Sequence, residues 1–441
     1  MEKKKTAAVK KVPVSVPGFT HVKTTGGISE FILKANGLRV LHLKRPDTGI
    51  VTTNITYFVG SRDEARGETG VAHMLEHMLF KPTVFDTAAG RDSAAMQLER
   101  ETGCILNANT WKDRTTYYFS YPQEYFERAL LIEAERMTGV VLTDASLTPE
   151  RNNVLSEHDM YNGDPYFALG VAMTGAAFHS HPYGHETIGH REDIEKYDAT
   201  SLERFYRFYY RPDNAVLMIV GDVDEKAALT AVKKHFAAIA RPIVAIPRFS
   251  IKEPLQEGLR RTSVERVSEA NIVSIGAKQV GFPSDDWYVT SALFEILTDG
   301  PESILHKAFI DSGIASSVDG GVEPCAEEAL ATITITLAKG QQHHDIEAQT
   351  LLVISKLSTA AIAPLLKKVK AKMLTDELFA RDSSLRIVQE LTEYTSAGDW
   401  ARYTKTLEIL EGITPKKIQD AAAKLFQRKN MTIGYFISSQ K

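Results

Sequence analysis

Cysteine is scarce in this chain: Cys104 and Cys325 are the two cysteines among 441 residues, and they lie far apart. No CxxC pair or Cys/His cluster accompanies them, which argues against a structural zinc module of the finger type. Two distant cysteines also cannot build the disulfide framework that stabilises small secreted domains. The cysteine content is therefore compatible with a reducing compartment.

Long apolar runs and a recognisable secretory leader are also missing. The segment from Met1 to Lys11 contains five lysines but no following apolar stretch, and no run is long enough to span a bilayer. We therefore expect a cytoplasmic protein with no membrane partner. A periplasmic location is the alternative, if a signal peptide has been removed ahead of residue 1.

The sequence has no strong excess of either charge. It contains 52 basic and 56 acidic residues, for a net charge of −4. This balance gives no electrostatic reason to expect a nucleic-acid partner. The length of 441 residues and the hydrophobic fraction of 43% suit a globular protein with two or three domains, each with its own core.

Helix-like and strand-like segments occur in two similar halves. A predicted helix over 200–210 and strand over 215–220 end the first half, and a helix over 414–426 and strand over 431–436 end the second. Strands mixed with helices in two similar halves predict a duplicated α+β unit.

The domain boundaries follow from local composition. Residues 1–26 are rich in Lys, Val and Thr and are predicted to be a flexible entry, and residues 241–256 contain three prolines and are predicted to be a linker. One α+β domain is then predicted over 27–240 and a second, which binds no metal, over 257–441.

The segment His73-Met74-Leu75-Glu76-His77 is the motif that carries chemistry. Residues four apart share one face of a helix, so His73 and His77 can direct two imidazoles at one point, which Glu76 can also reach. Two neutral imidazoles suit zinc, and a third protein ligand would leave one position open for water. An adjacent carboxylate can take a proton from that water as it attacks a carbonyl. The spacing therefore predicts one Zn²⁺ per chain.

The alternative is that these are ordinary core residues, since lone histidines on apolar helices usually are. HxxEH arises by chance in about one in a hundred chains of this length at average composition. The surrounding segment from Gly70 to Phe80 is densely apolar. Two histidines and a glutamate would be costly to bury there without compensation, which a bound metal supplies.

A third ligand is expected on another helix, predicted to open at Thr148-Pro149-Glu150. Glu150 and Glu157 are two helical turns apart and face the same way. A glutamate on an amphipathic helix usually faces solvent, so spacing alone does not select either one. His158 is a rival ligand that points about 100° away from Glu157 around the helix.

Together these residues resemble the inverzincin peptidases, the group of pitrilysin, insulin-degrading enzyme and mitochondrial processing peptidase. The resemblance covers most of residues 28–222. It rests on the HxxEH helix and on further segments in the family's order: Gly60-Ser61-Arg62, Asn107-Ala108-Asn109-Thr110 with Asp113 and Thr115, Glu150-Arg151 with Glu157, His181-Pro182-Tyr183-Gly184, and Tyr210-Arg211-Pro212-Asp213-Asn214-Ala215.

The resemblance implies a role for each matching residue. His73, His77 and Glu157 match the zinc ligands, and Glu76 matches the catalytic general base. Glu150 matches an acidic residue that supports the metal site from behind its ligands.

The resemblance also implies how a substrate is held. Asn107 and Ala108 match the edge strand on which family members lay an extended peptide, with main-chain hydrogen bonds giving affinity. The implied fold is two similar α+β domains per chain, which form half of a clam-shell chamber and pair with two more domains to close it.

One segment departs from the family pattern. In many relatives the half opposite the zinc contributes an Arg and a Tyr to the substrate, and the equivalent stretch here, Phe309–Ser317, contains neither. The second-half helix at 291–298 also lacks HxxEH. We therefore expect a homologous partner chain that supplies the Arg and Tyr, as a heterodimer, with a homodimer as the alternative.

The function predicted from the sequence is a zinc-dependent endopeptidase that cleaves peptides or unfolded polypeptides. An inactive scaffold subunit of a larger complex is the alternative. Scaffold relatives usually lose ligands or the base, whereas His73, Glu76, His77 and Glu157 are all present here. A zinc hydrolase acting on non-peptide substrates has no support beyond the shared chemistry.

Overall fold

The computed structural model describes residues 15–248 and 250–439, which form two β-sheets with helices packed around them. The strands are β1 (Phe19–Thr25), β2 (Ile28–Leu33), β3 (Arg39–Lys44), β4 (Ile50–Tyr57), β5 (Ile105–Thr110), β6 (Thr115–Pro122), β7 (Ala215–Gly221), β8 (Arg260–Arg266), β9 (Ile272–Gln279), β10 (Ala315–Gly321), β11 (Ala329–Leu337) and β12 (Met431–Ser438). The α-helices are α1 (Val71–Met78), α2 (Val84–Ala88), α3 (Ala94–Thr102), α4 (Phe126–Thr138), α5 (Asp144–Gly163), α6 (Pro165–Ala177), α7 (Arg191–Ile194), α8 (Ala199–Tyr209), α9 (Glu225–Phe236), α10 (Asp285–Thr298), α11 (His343–Ser355), α12 (Thr359–Ala380), α13 (Ser384–Ser396), α14 (Thr406–Glu411) and α15 (Pro415–Leu425).

Five strands of the first sheet have the same topology as the whole second sheet. The first is seven-stranded in the order β1-β2-β3-β7-β4-β6-β5, and the second is five-stranded in the order β8-β12-β9-β11-β10. The last strand of each half lies inside its sheet, parallel to one neighbour and antiparallel to the other: β7 between β3 and β4, and β12 between β8 and β9. The predicted fold of two similar α+β units is therefore confirmed, and β5 corresponds to β10.

The two halves pack through a shared core. Every residue of β7 is buried, with Leu217 and Ile219 in the core of the first half. Val216, Met218 and Val220, on the opposite face, join a core made mostly by the second half. A strand buried on both faces is apolar throughout rather than alternating.

Each half also places a helix on the other's sheet. Helix α13 packs on β4 and β7, and α6 packs on β8 and β12. The approach of α6 is close, because a Cβ built on Gly434 would lie 2.5 Å from Sδ of Met173. Because each half packs a helix on the other's sheet, the two halves are not independent bodies.

The prediction that residues 1–26 form a flexible entry is wrong for residues 19–25. Residues 19–25 form β1, which pairs antiparallel with β2. Phe19 is buried and packs edge-on against Phe31, with ring centroids 6.5 Å apart. Thr20, Val22 and Thr24 are exposed to solvent and alternate with half-buried residues. Residues 1–14 of that segment lie outside the described residues.

The predicted start of α5 is also wrong. The helix begins at Asp144, because the hydroxyl of Thr143 accepts a hydrogen bond from the backbone N–H of Ser146 at 3.1 Å. Pro149 then falls in the second turn, inside the helix. A local capping arrangement outweighs the loss of the single hydrogen bond that Pro149 cannot donate.

The described residues between α9 and β8 contain neither helix nor strand, yet polar contacts hold them. Arg211 donates to the carbonyls of Pro242 (2.8 Å) and Val244 (2.7 Å). The carboxylate of Glu253 accepts backbone N–H bonds from His179 and Ser180, at 3.1 and 2.9 Å.

In the part of the chain that the structure describes, no single helix has the length and apolarity to cross a membrane. Helices α11 and α12 together meet those two criteria, but they are bent by 93° relative to each other.

Candidate metal centre

The N-terminus of helix α1 is held in place by residues outside the helix. Gly70 precedes the first residue of the helix and has φ +87°, and a Cβ there would lie 2.4 Å from the carbonyl oxygen of Ile188. The buried carboxylate of Glu64 accepts the backbone N–H of Gly70 and of Ala72, both at 2.9 Å. An anion at this end of a helix is stabilised by the helix dipole and satisfies free N–H groups. Nε2 of His185 lies 3.0 Å from the same carboxylate.

The apolar face of α1 is buried and the opposite face carries the motif. Met74, Leu75 and Met78 are fully buried. His73 and His77 remain partly accessible, with side chains 14% and 27% exposed. Helical spacing thus turns both imidazoles away from the core and toward α5.

His73, His77 and Glu157 form a cluster whose potential ligand atoms all lie within 4.8 Å of one another. Oε2 of Glu157 lies 3.9 Å from Nε2 of His73 and 3.8 Å from Nε2 of His77. These separations are too long for hydrogen bonds. Atoms bound to one tetrahedral zinc at ~2.0–2.1 Å lie about 3.3 Å apart. The three side chains therefore converge on one point and could hold a metal, at separations somewhat longer than those of a zinc-bound site.

The protonation state of His73 also suits a metal ligand. Burial, reinforced by the neighbouring His77, lowers the pKa of His73 to about 4. At neutral pH its imidazole is uncharged, which is the form that coordinates a cation.

Glu76 lies on the same face of α1 as the two histidines. The hydroxyl of Thr110, on β5, donates a hydrogen bond to its Oε2. Burial raises the pKa of the Glu76 carboxyl, and the hydrogen bond from Thr110 and the proximity of His77 partly offset that rise. A carboxyl with a raised pKa is a better proton acceptor than an exposed one.

Glu150 lies behind the cluster. Its Oε2 is 3.5 Å from Nδ1 of His77, the ring nitrogen that faces away from Glu157. Lys81 forms an ion pair with its Oε1, and Nδ2 of Asn153 donates to the same oxygen at 3.3 Å. Burial works to raise the pKa of Glu150, but Lys81 and Asn153 outweigh it and the net pKa is lowered. An ionised carboxylate at this distance is placed to orient the imidazole of His77.

His158, the rival ligand, is not in the cluster that the described residues form. Its Nδ1 lies 3.7 Å from a carboxylate oxygen of Asp159 instead. The geometry favours Glu157 as the third ligand.

Asn107 and Ala108 lie on β5, the outer strand of the first sheet. Trp111 N–H bonds to Arg114 O at 2.8 Å, which fixes the alternation along the β5–β6 ladder. The main-chain groups of Leu106, Ala108 and Thr110 therefore point to the unpaired edge. Oδ1 of Asn107 accepts the N–H of Ala108 at 2.8 Å.

Two further motif segments brace the turn between β5 and β6. Nη1 of Arg62 and the hydroxyl of Tyr183 both donate to Oδ1 of Asp113, each at 2.6 Å. Gly60 allows its chain to touch this turn, since a Cβ there would lie 2.1 Å from the carbonyl oxygen of Trp111. These contacts fix the turn that follows β5.

Sequence reasoning missed three contacts around the site: Thr110 on Glu76, Lys81 on Glu150, and Glu64 on the start of α1. Thr110 lies within the Asn107–Thr110 motif, but the family resemblance assigns it no role. Lys81 lies beyond the end of α1 at Met78, so helical spacing from His77 could not place it beside Glu150. Glu64 caps its helix from outside the local capping pattern, so no sequence signal marks it.

Two models of one peptidase family match the chain. The model described as Insulinase (Peptidase family M16) matches residues 39–191, which include the whole cluster. The model described as Peptidase M16 inactive domain matches residues 196–381.

Related proteins and structures agree with these matches. The zinc protease PqqE of Helicobacter pylori is 29% identical over 380 residues, which are 84% of this chain and 84% of that protein. The beta subunit of the mitochondrial-processing peptidase of Saccharomyces cerevisiae is 24% identical over 375 residues, 81% of this chain and 79% of the relative. The crystal structure of a protease from Helicobacter pylori has a TM-score of 0.85 at 24% identity, covering 96% of this chain and 100% of that one. With both halves matched, the chain belongs to the M16 (insulinase) peptidase family.

Proposed function

We propose that this protein is a zinc-dependent endopeptidase that cleaves peptides or unfolded polypeptides. One observation carries the proposal: His73, His77 and Glu157 converge within 4.8 Å, with Glu76 on the same face of α1. Relatives named zinc proteases support the same class of reaction.

Glu76 and Glu150 have separate roles in the proposed reaction. When bound, zinc would polarise the substrate carbonyl and lower the pKa of a water molecule. Oε2 of Glu76 accepts the Thr110 hydroxyl, so Oε1 is the atom that takes the proton of the attacking water. The same carboxyl then donates that proton to the leaving amine. Glu150 holds His77 in place throughout.

The edge of β5 is the proposed substrate wall. An extended peptide can pair with the outward main-chain groups of Leu106, Ala108 and Thr110. Thr110 links this edge to Glu76, so a paired peptide bond would lie beside the base. The Asn107 carboxamide, which covers the Ala108 N–H, must rotate away for pairing at that residue.

An inactive scaffold is the second candidate, favoured by the description of the family model over 196–381 as an inactive domain. That model matches residues 196–381, which do not contain the metal cluster. Among the described residues, His73, His77 and Glu157 form the single cluster of this kind. A scaffold has no use for two imidazoles and two carboxylates arranged in this way, so we rank it below the peptidase.

We also propose that activity needs a homologous partner chain. The stretch Phe309–Ser317 runs into β10, the strand equivalent to β5, and offers neither Arg nor Tyr to a substrate. A mitochondrial-processing peptidase subunit among the relatives supports a multichain arrangement.

The experiment is a metal analysis combined with a peptide assay. The purified protein, alone and with candidate partner chains, is assayed on a quenched fluorescent peptide before and after chelation and zinc replacement. The proposal expects one zinc per chain and chelator-sensitive cleavage. Bound zinc without cleavage under any of these conditions would favour the scaffold.

A further inference from the structure

The turn that joins β5 to β6 is held by hydrogen bonds to the second half of the chain. Three consecutive turn residues each bond to a group of that half. The bonds join Lys112 Nζ to Glu323 Oε2 (2.6 Å), the N–H of Ala326 to Asp113 Oδ2 (2.9 Å), and Arg114 Nε to Glu393 Oε1 (3.1 Å).

The opposing loop, residues 322–328, is itself held firmly. The carbonyl oxygen of Glu323 accepts hydrogen bonds from Nε2 of Gln279 at 3.0 Å and from Nε1 of Trp287 at 2.9 Å. This loop joins β10 to β11, the strands equivalent to β5 and β6. The corresponding hairpins of the two halves therefore meet, and one fixes the other.

This turn is connected to the metal centre through the last residue of β5. Thr110, the last residue of β5, precedes it and donates to Glu76. Arg114 holds the same strand through its Nη1, which donates to Oδ1 of Asn109 at 2.7 Å. A shift of the turn would therefore move both the substrate edge and the partner of the general base.

We propose that Glu323 and Glu393 of the second half are positioning residues for the β5–β6 hairpin, and so for Glu76 and the substrate edge. The second half, which holds no metal cluster among its described residues, would then contribute to turnover within the same chain. This inference rests on the peptidase function proposed above.

The buried charge of Lys112 makes its contact with Glu323 specific. Lys112 is 4% exposed, and a buried ammonium is costly unless a carboxylate meets it. Glu323 is 36% exposed, so its replacement by Gln keeps the local packing and removes only the charge that meets Lys112. Glu393, at 23% exposure, offers a second and independent variant.

The test compares Glu323→Gln and Glu393→Gln with Glu328→Gln. Glu328 lies in the same loop, is exposed, and has no hydrogen bond or ion pair among the described residues. With zinc content unchanged, each positioning variant is expected to lower kcat by about tenfold, since small misplacements of reacting groups are costly. Glu328→Gln is expected to stay within about twofold of the parent. In a double-mutant cycle, Glu323→Gln should add little to the loss caused by Lys112→Met.

Amide hydrogen exchange of peptides covering residues 105–116 gives a readout that needs no peptidase activity. Both positioning variants should exchange faster there, while the α1 peptides and Glu328→Gln remain at the parent rate. Unchanged exchange would overturn the inference whatever the turnover. Parent-like kcat in both variants would overturn it as well. Absence of turnover in the zinc-loaded parent, assayed with and without a partner chain, would instead refute the proposed function, leaving the exchange result to decide the positioning role.

Discussion

Thr110 and Glu76 are joined across two elements: the hydroxyl of Thr110 on the edge strand donates a hydrogen bond to Oε2 of Glu76 on the metal-site helix. The contact fixes the orientation of the carboxylate that we propose as the general base. It also couples the strand that would hold the substrate to the group that would activate water.

Replacing Thr110 by Val removes this hydrogen bond while keeping the shape of the side chain. A hydrogen bond to a charged group is worth ~1.5–3 kcal/mol, so kcat should fall by about 10–100-fold. Thr110→Ser keeps the hydroxyl and should recover most of the rate. Steady-state kinetics on a fluorogenic peptide, with zinc content measured in parallel, provides the comparison. Equal rates for the Val and Ser variants would show that Thr110 does not orient Glu76.

Replacing Glu157 by Gln should weaken zinc binding. A neutral amide oxygen is a poorer ligand than a carboxylate, and loss of even an indirect supporting group costs 10–100-fold in affinity, so we expect a loss of at least about 100-fold. Competition with a chelating dye measures the affinity, and His158→Gln is the matched control. If the His158 variant loses zinc and the Glu157 variant keeps it, the third ligand has been assigned wrongly.

Glu390, on α13, gives a prediction about stability and pH. Burial, with the nearby Glu377 carboxylate, raises the pKa of Glu390 to about 7 from its ordinary value of 4.5. Its Oε2 is buried and has no hydrogen-bond partner among the described residues. Because the folded state favours the protonated form, ionisation destabilises it: the cost is absent below pH ~4.5 and grows as pH rises toward 7.

Glu390→Gln should therefore raise the free energy of unfolding at pH 8 by about 1–2 kcal/mol, allowing for solvent screening, and leave it nearly unchanged at pH 4. Urea unfolding at both pH values measures the difference. Glu257→Gln, at an exposed residue, controls for the loss of one charge. A gain at pH 4 equal to that at pH 8 would rule out ionisation as its cause.

The chain alone is expected to bind zinc and yet cleave peptides poorly. The Phe309–Ser317 stretch supplies neither Arg nor Tyr, and loss of one preorganised donor to a developing oxyanion typically costs about 10²–10³-fold. Turnover by the isolated chain, with its oligomeric state measured by light scattering, tests this expectation. Strong turnover by a pure homodimer would refute the need for a different partner.

The sequence was informative where function depends on local spacing. His73, Glu76 and His77 share one turn of helix, so their convergence follows from helix geometry alone. Glu157 required the family resemblance, because spacing left His158 open. The repeat could be predicted because each half ends with a similar helix and an apolar strand.

Contacts between distant residues could not be predicted in this way. Lys112 and Glu323 are 211 residues apart, and neither lies in a pattern that names the other. The strand β1 was missed because only Phe19 of its residues is buried, which weakens the apolar alternation. The start of α5 was misplaced because the Thr143–Ser146 cap competes with the Thr148-Pro149 pattern.

We propose that Glu76 acts as the general base of a zinc site whose ligands are other residues. The most direct test of this proposal is the Glu76→Gln variant, with zinc content and turnover measured on the same sample and under the conditions in which the parent is active. The amide keeps the shape and the Thr110 contact but cannot take a proton from water, so zinc should remain at one per chain. Turnover should fall by about 10²–10⁴-fold or more. Full zinc with activity within tenfold of the parent would contradict the account.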